Sequence, residues 1–153
     1  ITSRFGTRLH PIARELRQHR GVDYGAPLGT PVFAVADGIV VTRGTRGPSG
    51  NHLVLRHRGR SSLYLHLQTI ADGLLPGVVV TQGQVLGTVG ATGAATGPHL
   101  HFEVRIGATA LDPLDLLPGG SAPPSLAARA AALGGRLAAV RRWLAERDAE
   151  QRQ

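Results

Sequence analysis

The feature that most restricts the fold is a succession of short, apolar, β-branched runs cut apart by glycine. Val32-Phe33-Ala34-Val35, Gly38-Ile39-Val40-Val41-Thr42, residues 51–57, residues 62–67, Val78-Val79-Val80 and residues 85–89 are each too short for an independent helix and rich in side chains that suit a pleated surface. Between them lie turn formers: Ala36-Asp37-Gly38, Arg58-Gly59-Arg60-Ser61 and Thr81-Gln82-Gly83-Gln84. The spacing predicts an all-β core, an antiparallel β-sandwich or partly open barrel, in which 32–35 pairs with 38–42, 51–57 with 62–67 and 78–80 with 85–89 as hairpins. Residues 1–31 hold much Gly, Pro and Arg and no sustained period; Ala13-Arg14-Glu15-Leu16-Arg17-Gln18 could form one helical turn, but the Pro and Gly around it favour a loop, with His19 and Asp23 on an extended or turning segment.

A further strand is expected in Gly97-Pro98-His99-Leu100-His101-Phe102-Glu103-Val104. Alternate side chains of a strand share a face, so His99 and His101 project together while Leu100 and Phe102 turn to the core. Glu103 and Arg105 continue the face of His101. Two imidazoles on a rigid element make half of a metal site. His19 and Asp23, four residues apart in a stretch where Gly21 and Gly25 disfavour a helix, would add the second imidazole and the carboxylate of a three-ligand set with one position open, as in catalytic zinc centres. Which histidine of the 99/101 pair joins them is not decided by spacing. Each ring would also need a partner to fix its tautomer.

Taken in order, His19-x-x-x-Asp23, Tyr64-Leu65-His66-Leu67 and Thr96-Gly97-Pro98-His99-Leu100-His101-Phe102-Glu103 resemble the signature of the lysostaphin-type zinc endopeptidases, also called the β-lytic or LytM-type family, which cut the peptide part of peptidoglycan. Ser3-Arg4-Phe5-Gly6 with His10-Pro11-Ile12, Gly29-Thr30-Pro31-Val32, Gly50-Asn51 and Gly83-Gln84-Val85-Leu86-Gly87 add to the likeness, which runs from residue 2 to Pro113. The resemblance implies a duplicated-hybrid-motif-like β fold and a metallopeptidase domain over residues 1–117. It also implies one Zn²⁺ ion held by His19, Asp23 and His101, with His66 and His99 beside the water that attacks the amide, sharing the acid and base roles. Members of the family carry a Tyr six residues before the first histidine, where this chain has Ala13; Arg4, Arg8 or His10 would have to stabilise the oxyanion instead. The form of the 97–105 stretch resembles members from bacteria whose stem peptides are cross-linked directly. Other members lose metal ligands and serve as non-catalytic peptidoglycan-binding or activator modules; here all three implied ligands and both accessory histidines are present, which favours the hydrolase.

Charge and composition remove several other classes. The formal balance is +7 and all 17 cations are Arg. A basic surface attracts polyanions in general, but one Trp, two Tyr and three Phe offer few stacking platforms for single-stranded nucleic acid, so no nucleic-acid partner is expected. Lipoyl or biotinyl carrier domains have similar Gly-punctuated strands but attach their cofactor to Lys, which is absent. There is no Cys, hence no disulfide or thiolate ligand, in keeping with an extracytoplasmic protein. No apolar run approaches a membrane span, and no export signal lies within the chain. Residues 118–125 read as a Pro/Gly-rich linker. Beyond it Leu126, Ala130, Leu133, Leu137, Val140 and Leu144 recur at steps of four and three, which predicts an amphipathic helical tail within 126–153, its helix over 126–149 interrupted at Gly134-Gly135 and available for a partner or self-association.

Overall fold

The computed structural model describes residues 1–9 and 15–116. The expected linker 118–125, the helical tail 126–153, His10 and Ala13 lie outside the described residues. Those described form an antiparallel all-β fold. Its strands are β1 (Gly6–Leu9), β2 (Leu16–His19), β3 (Val22–Gly25), β4 (Pro31–Phe33), β5 (Gly38–Arg46), β6 (Gly50–Arg56), β7 (Ser61–Ile70), β8 (Val79–Val80), β9 (Val85–Val89), β10 (His99–Ile106) and β11 (Thr109–Leu111). β1 and β2 form a two-stranded sheet. The rest join one sheet in the order β11-β10-β7-β6-β5-β8, with β3 on β10, and β9 joined to both β4 and β7. No helix among the described residues is long and apolar enough to cross a membrane.

The core follows from period-2 alternation. Leu53 and Leu55 of β6, Tyr64 of β7 and Phe102 and Val104 of β10 turn to one side, where they pack with Val32, Val40, Leu67, Val80, Leu86 and Val89. Phe102 lies directly opposite Tyr64, with the rings 5.3 Å apart. The Tyr64 hydroxyl is buried but satisfied, accepting from the Val35 N–H at 3.0 Å and sharing a hydrogen bond with Ser62 Oγ at 3.2 Å. His57 Nδ1 donates to the Asp37 carbonyl at 2.7 Å and its Nε2 accepts from Ser62 Oγ at 2.7 Å, so this histidine is structural.

Two expectations are corrected. The 1–31 stretch, read as having no regular period, holds β1, β2 and β3, with β2 beginning at Leu16 where a loop is expected. β1 and β2 pair Gly6 with His19 through Leu9 with Leu16, and Thr7 through Leu9 and Leu16 through Gln18 are all exposed, so no buried face imposes the alternation that marks a strand. The stretches 32–42 and 78–89 are also not hairpins: β4 pairs with β9 and β5 with β8. The two turns interlock instead. Ala34 N–H donates to the Gln84 carbonyl, Gly83 N–H to the Ala34 carbonyl, and Gln82 N–H to Asp37 Oδ1. Each unit satisfies the backbone groups of the other, and apolar runs with turns between them are equally compatible with either pairing. The 51–57 and 62–67 stretches do form the expected hairpin, as β6 and β7.

Candidate metal centre

The centre is built at the first half of β10, which β3 flanks on one side and β7 on the other. Asp23 stands directly opposite His101 in the β3–β10 ladder. The N-terminal segment fixes it from behind, as Asp23 N–H donates to the Ser3 carbonyl at 2.9 Å and Thr2 N–H to the Asp23 carbonyl at 2.8 Å. His19 ends β2, buried, where the chain doubles back through Arg20 and Gly21 into β3. This brings His19 Nε2, Asp23 Oδ1 and His101 Nδ1 together: 3.1 Å from His19 to Asp23, 2.7 Å from His101 to Asp23 and 3.1 Å between the two rings.

The hydrogen bonds around the rings decide what this group can bind. His19 Nδ1 donates to the Arg4 carbonyl at 2.6 Å, and His101 Nε2 donates to Glu103 Oε1 at 3.0 Å. A neutral imidazole carries one N–H, so both inward nitrogens are lone pairs. With both rings neutral, these two nitrogens and the Asp23 carboxylate are three acceptors that meet without a proton among them, the state a metal ion requires. Such a cluster suits a cation, and donors at these separations can all reach a common centre at the roughly 2.0–2.1 Å bond lengths of zinc with nitrogen and oxygen. The three are the group of side chains among the described residues that could hold a metal ion.

Without an ion the charges adjust to one another. Burial opposes ionisation of Asp23, but the hydrogen bond from His101 and the nearby His19, His101 and His99 rings outweigh it and lower its pKa. Burial likewise opposes protonation of His101, yet its bonds to Asp23 and Glu103 push its pKa up to about 9.

Two more imidazoles complete the wall. His99 shares the face of His101, its Nδ1 donating to the Gly97 carbonyl at 2.9 Å and its Nε2 3.9 Å from Asp23 Oδ1. His66 arrives by a less regular route. Strand parity would send it to the side of Tyr64, into the core. Instead β7 shifts register against β6 between Asn51 and Leu53, and against β9 between Leu67 and Thr69, and His66 takes φ +61°, the one positive φ outside glycine among the described residues. A bulge of this kind re-aims a side chain, and the His66 ring comes to lie 4.8 Å from that of His99 and 5.9 Å from that of His101. Its Nδ1 donates to the Thr92 carbonyl at 2.8 Å. Gly90 permits this approach, since a Cβ there would stand 2.6 Å from the His66 carbonyl oxygen. With Nδ1 committed in both rings, Nε2 is the accepting nitrogen of each. Burial, aided by the His99 and His101 rings, holds the His66 pKa below its ordinary value against the pull of the Thr92 carbonyl and Asp23, which favours the uncharged ring near pH 7.

Residues 17–113 match the model of Peptidase family M23. The chain belongs to that family. It is 45% identical over 119 residues to the DD-carboxypeptidase/endopeptidase Mpg of Neisseria meningitidis, covering 76% of this chain and 26% of that protein. To the peptidoglycan DD-endopeptidase ShyC of Vibrio cholerae it is 43% identical over 108 residues, 69% of this chain and 24% of the other. Among solved structures, a zinc-containing peptidase from Vibrio cholerae superposes with a TM-score of 0.69 at 39% identity, covering 73% of this chain and 35% of that one. The chain thus spans about a quarter of the length of these curated relatives.

Within this M23 domain the structure brings together all five histidine and aspartate side chains expected from sequence, His19, Asp23, His66, His99 and His101. It gives no support to Arg8 as an oxyanion donor: its guanidinium donates to Ser3 Oγ at 2.7 Å, and Ser3 Oγ lies 3.5 Å from His19 Nδ1, on the far side of that ring from Asp23. The groups that fix the tautomers went unread because three of them, on Arg4, Thr92 and Gly97, are backbone carbonyls, for which side-chain identity carries no signal. The fourth, Glu103, had one: it shares the strand face of His101 two residues on. Its oxygens are both engaged, by His101 and by Arg105, so it is not a candidate base.

Proposed function

We propose that this chain is the catalytic domain of a zinc-dependent endopeptidase that hydrolyses peptide cross-links or stem peptides of bacterial peptidoglycan, outside the cytoplasm. In this reading residues 1–117 are the catalytic domain, His19, Asp23 and His101 hold one zinc ion, and His66 and His99 carry the proton transfers. The observation that carries it is the convergence of His19 Nε2, His101 Nδ1 and the Asp23 carboxylate within 3.1 Å of one another, beside two further imidazoles whose Nδ1 atoms are held by backbone carbonyls. The names of the relatives favour the DD bond of peptidoglycan as the point of attack. The apolar seam of 126–149 is assigned to a partner or a second copy on its sequence pattern alone.

Zinc in such a site supplies a Lewis acid that lowers the pKa of water and polarises an amide carbonyl. The protein does the rest. His66 and His99, each with Nδ1 held by a backbone carbonyl and Nε2 turned toward the centre, share the work of taking a proton from the attacking water and returning one to the amide nitrogen as the carbon–nitrogen bond breaks. Asp23 and the two ligand rings are held by β3, β2 and β10 before substrate arrives, so little reorganisation accompanies the reaction.

The test is digestion of purified cross-linked muropeptides with and without chelator, read by mass spectrometry. Chelator-sensitive loss of cross-linked dimers is expected. Intact dimers after incubation with the zinc-loaded protein would count for a binding module. In parallel, His101→Ala should lose the metal; full occupancy in that variant would remove His101 from the ligand set.

A further inference from the structure

His101 faces two carboxylates. Its Nδ1 is 2.7 Å from Asp23 Oδ1 and its Nε2 is 3.0 Å from Glu103 Oε1. A neutral ring has one proton to give, and the two choices are not equivalent. Donation from Nδ1 to Asp23 blocks the nitrogen that points into the acceptor cluster; donation from Nε2 to Glu103 leaves it open.

Glu103 is built to win that proton. It is 5% exposed, and a buried carboxylate is costly unless it is paired. Arg105, two residues further along the same face of β10, donates from Nε to Glu103 Oε2 at 2.6 Å, with Nη2 also in contact. This leaves Oε1 for His101. Gly21 closes the contact from above: a Cβ there would overlap the Phe102 carbonyl and stand 2.9 Å from Glu103 Cγ and 3.0 Å from His101 Nε2. The turn between His19 and Asp23 therefore packs directly over the His101–Glu103 hydrogen bond.

We infer that Glu103 and Arg105 are positioning residues for the metal centre: Arg105 orients Glu103, and Glu103 selects the His101 tautomer whose Nδ1 is free to bind a metal. The inference rests on His101 being a metal ligand, and its test separates the two. Zinc dissociation constants are measured by chelator competition on the metal-free full chain, for wild type, Glu103→Ala, Glu103→Gln, Arg105→Ala and His101→Ala, with thermal unfolding of each as the check on folding. Loss of a partner of this kind weakens metal binding by roughly 10–100-fold, the loss expected for Glu103→Ala. Glu103→Gln keeps one acceptor oxygen, for which His101 and Arg105 must compete, and should fall between wild type and Glu103→Ala. Arg105→Ala should weaken zinc several-fold although it touches no metal ligand, and should add nothing in the Glu103→Ala background. Nitrogen-15 spectra of the metal-free protein, recorded at pH 10 where the ring is neutral, should show His101 protonated at Nε2 in wild type and shifted toward Nδ1 in Glu103→Ala, a change that a purely structural role would not produce. Folded Glu103→Gln and Arg105→Ala proteins that both bind zinc within twofold of wild type would overturn the inference, with His101→Ala still failing to bind. Zinc retained by His101→Ala would instead bring down the ligand assignment beneath it.

Discussion

Zinc uptake by the stripped protein should depend steeply on pH because the ion must displace a proton. In the metal-free state His101 titrates at about 9, its bonds to Asp23 and Glu103 overcoming the effect of burial. At pH 7 about one molecule in a hundred has a neutral ring, so the apparent zinc affinity sits about 100-fold below its limit. The logarithm of the apparent association constant should rise by about one per pH unit from pH 7 to 8 and bend over near 9, a gain of about 50-fold between pH 7 and 9, or about 2.3 kcal/mol. Folding stability responds with the opposite sign. The folded pKa lies above the unfolded 6.5, so the contribution of His101 to the stability of the metal-free protein is complete below pH 6.5 and is lost as pH rises through about 9. The gap in melting temperature between zinc-loaded and stripped protein should therefore widen over that interval. The assay is competition with a chelator of known protonation constants from pH 6 to 10, alongside thermal unfolding in zinc-buffered and zinc-free solution. A dissociation constant flat between pH 7 and 9 would refute the reasoning, because no proton would then be leaving the site.

Other perturbations separate the chemistry from the scaffold. His66→Ala should keep zinc and lose roughly 10²–10⁴-fold in hydrolysis of muropeptides; loss of the metal in this variant would make His66 a ligand. Gly90→Ala should also retain zinc while activity falls, since the new Cβ meets β7 backbone and pushes the Thr92 carbonyl away from His66; unchanged turnover would show that this carbonyl does not set the ring. Tyr64→Phe removes the acceptor of the buried Val35 N–H and should cost about 1–3 kcal/mol in denaturant unfolding of the zinc-loaded protein, with the zinc dissociation constant unmoved. Leu53→Ala, at a fully buried β6 position, should cost about 2–5 kcal/mol by the same measurement.

The β class and the β6–β7 hairpin were legible because Leu53, Leu55 and Tyr64 alternate with more exposed neighbours around a four-residue Gly-containing turn, and that signal is local. The strands β1 and β2 were not, because neither face of their hairpin is buried and no alternation marks them. The crossed pairing of β4 with β9 and of β5 with β8 was invisible for another reason: which of several apolar partners a strand takes is settled by distant turns such as Asp37 against Gln82. In the site, the side of β10 that carries His99 and His101 follows from parity, the spacing of His19 and Asp23 offered the rest of a ligand set, and the motif resemblance added His66 and singled out His101. Parity by itself would have buried His66, because no pattern of residue types announces a left-handed φ at a non-glycine position.

By itself, then, the order of residues determined the chemical inventory, with its five imidazole and carboxylate groups, the absence of thiols and lysine amines, and the strand pattern that displays two of the imidazoles on one face of β10. Tertiary structure alone decided how those groups behave. The His19 turn had to fold onto β3 before three acceptors could meet, and β7 had to slip register before His66 could turn outward. The Arg4 and Thr92 carbonyls then had to arrive from elsewhere in the chain before the His19 and His66 rings had a defined proton. Residue identity states which atoms can donate or accept; only their approach in space determines which of them do.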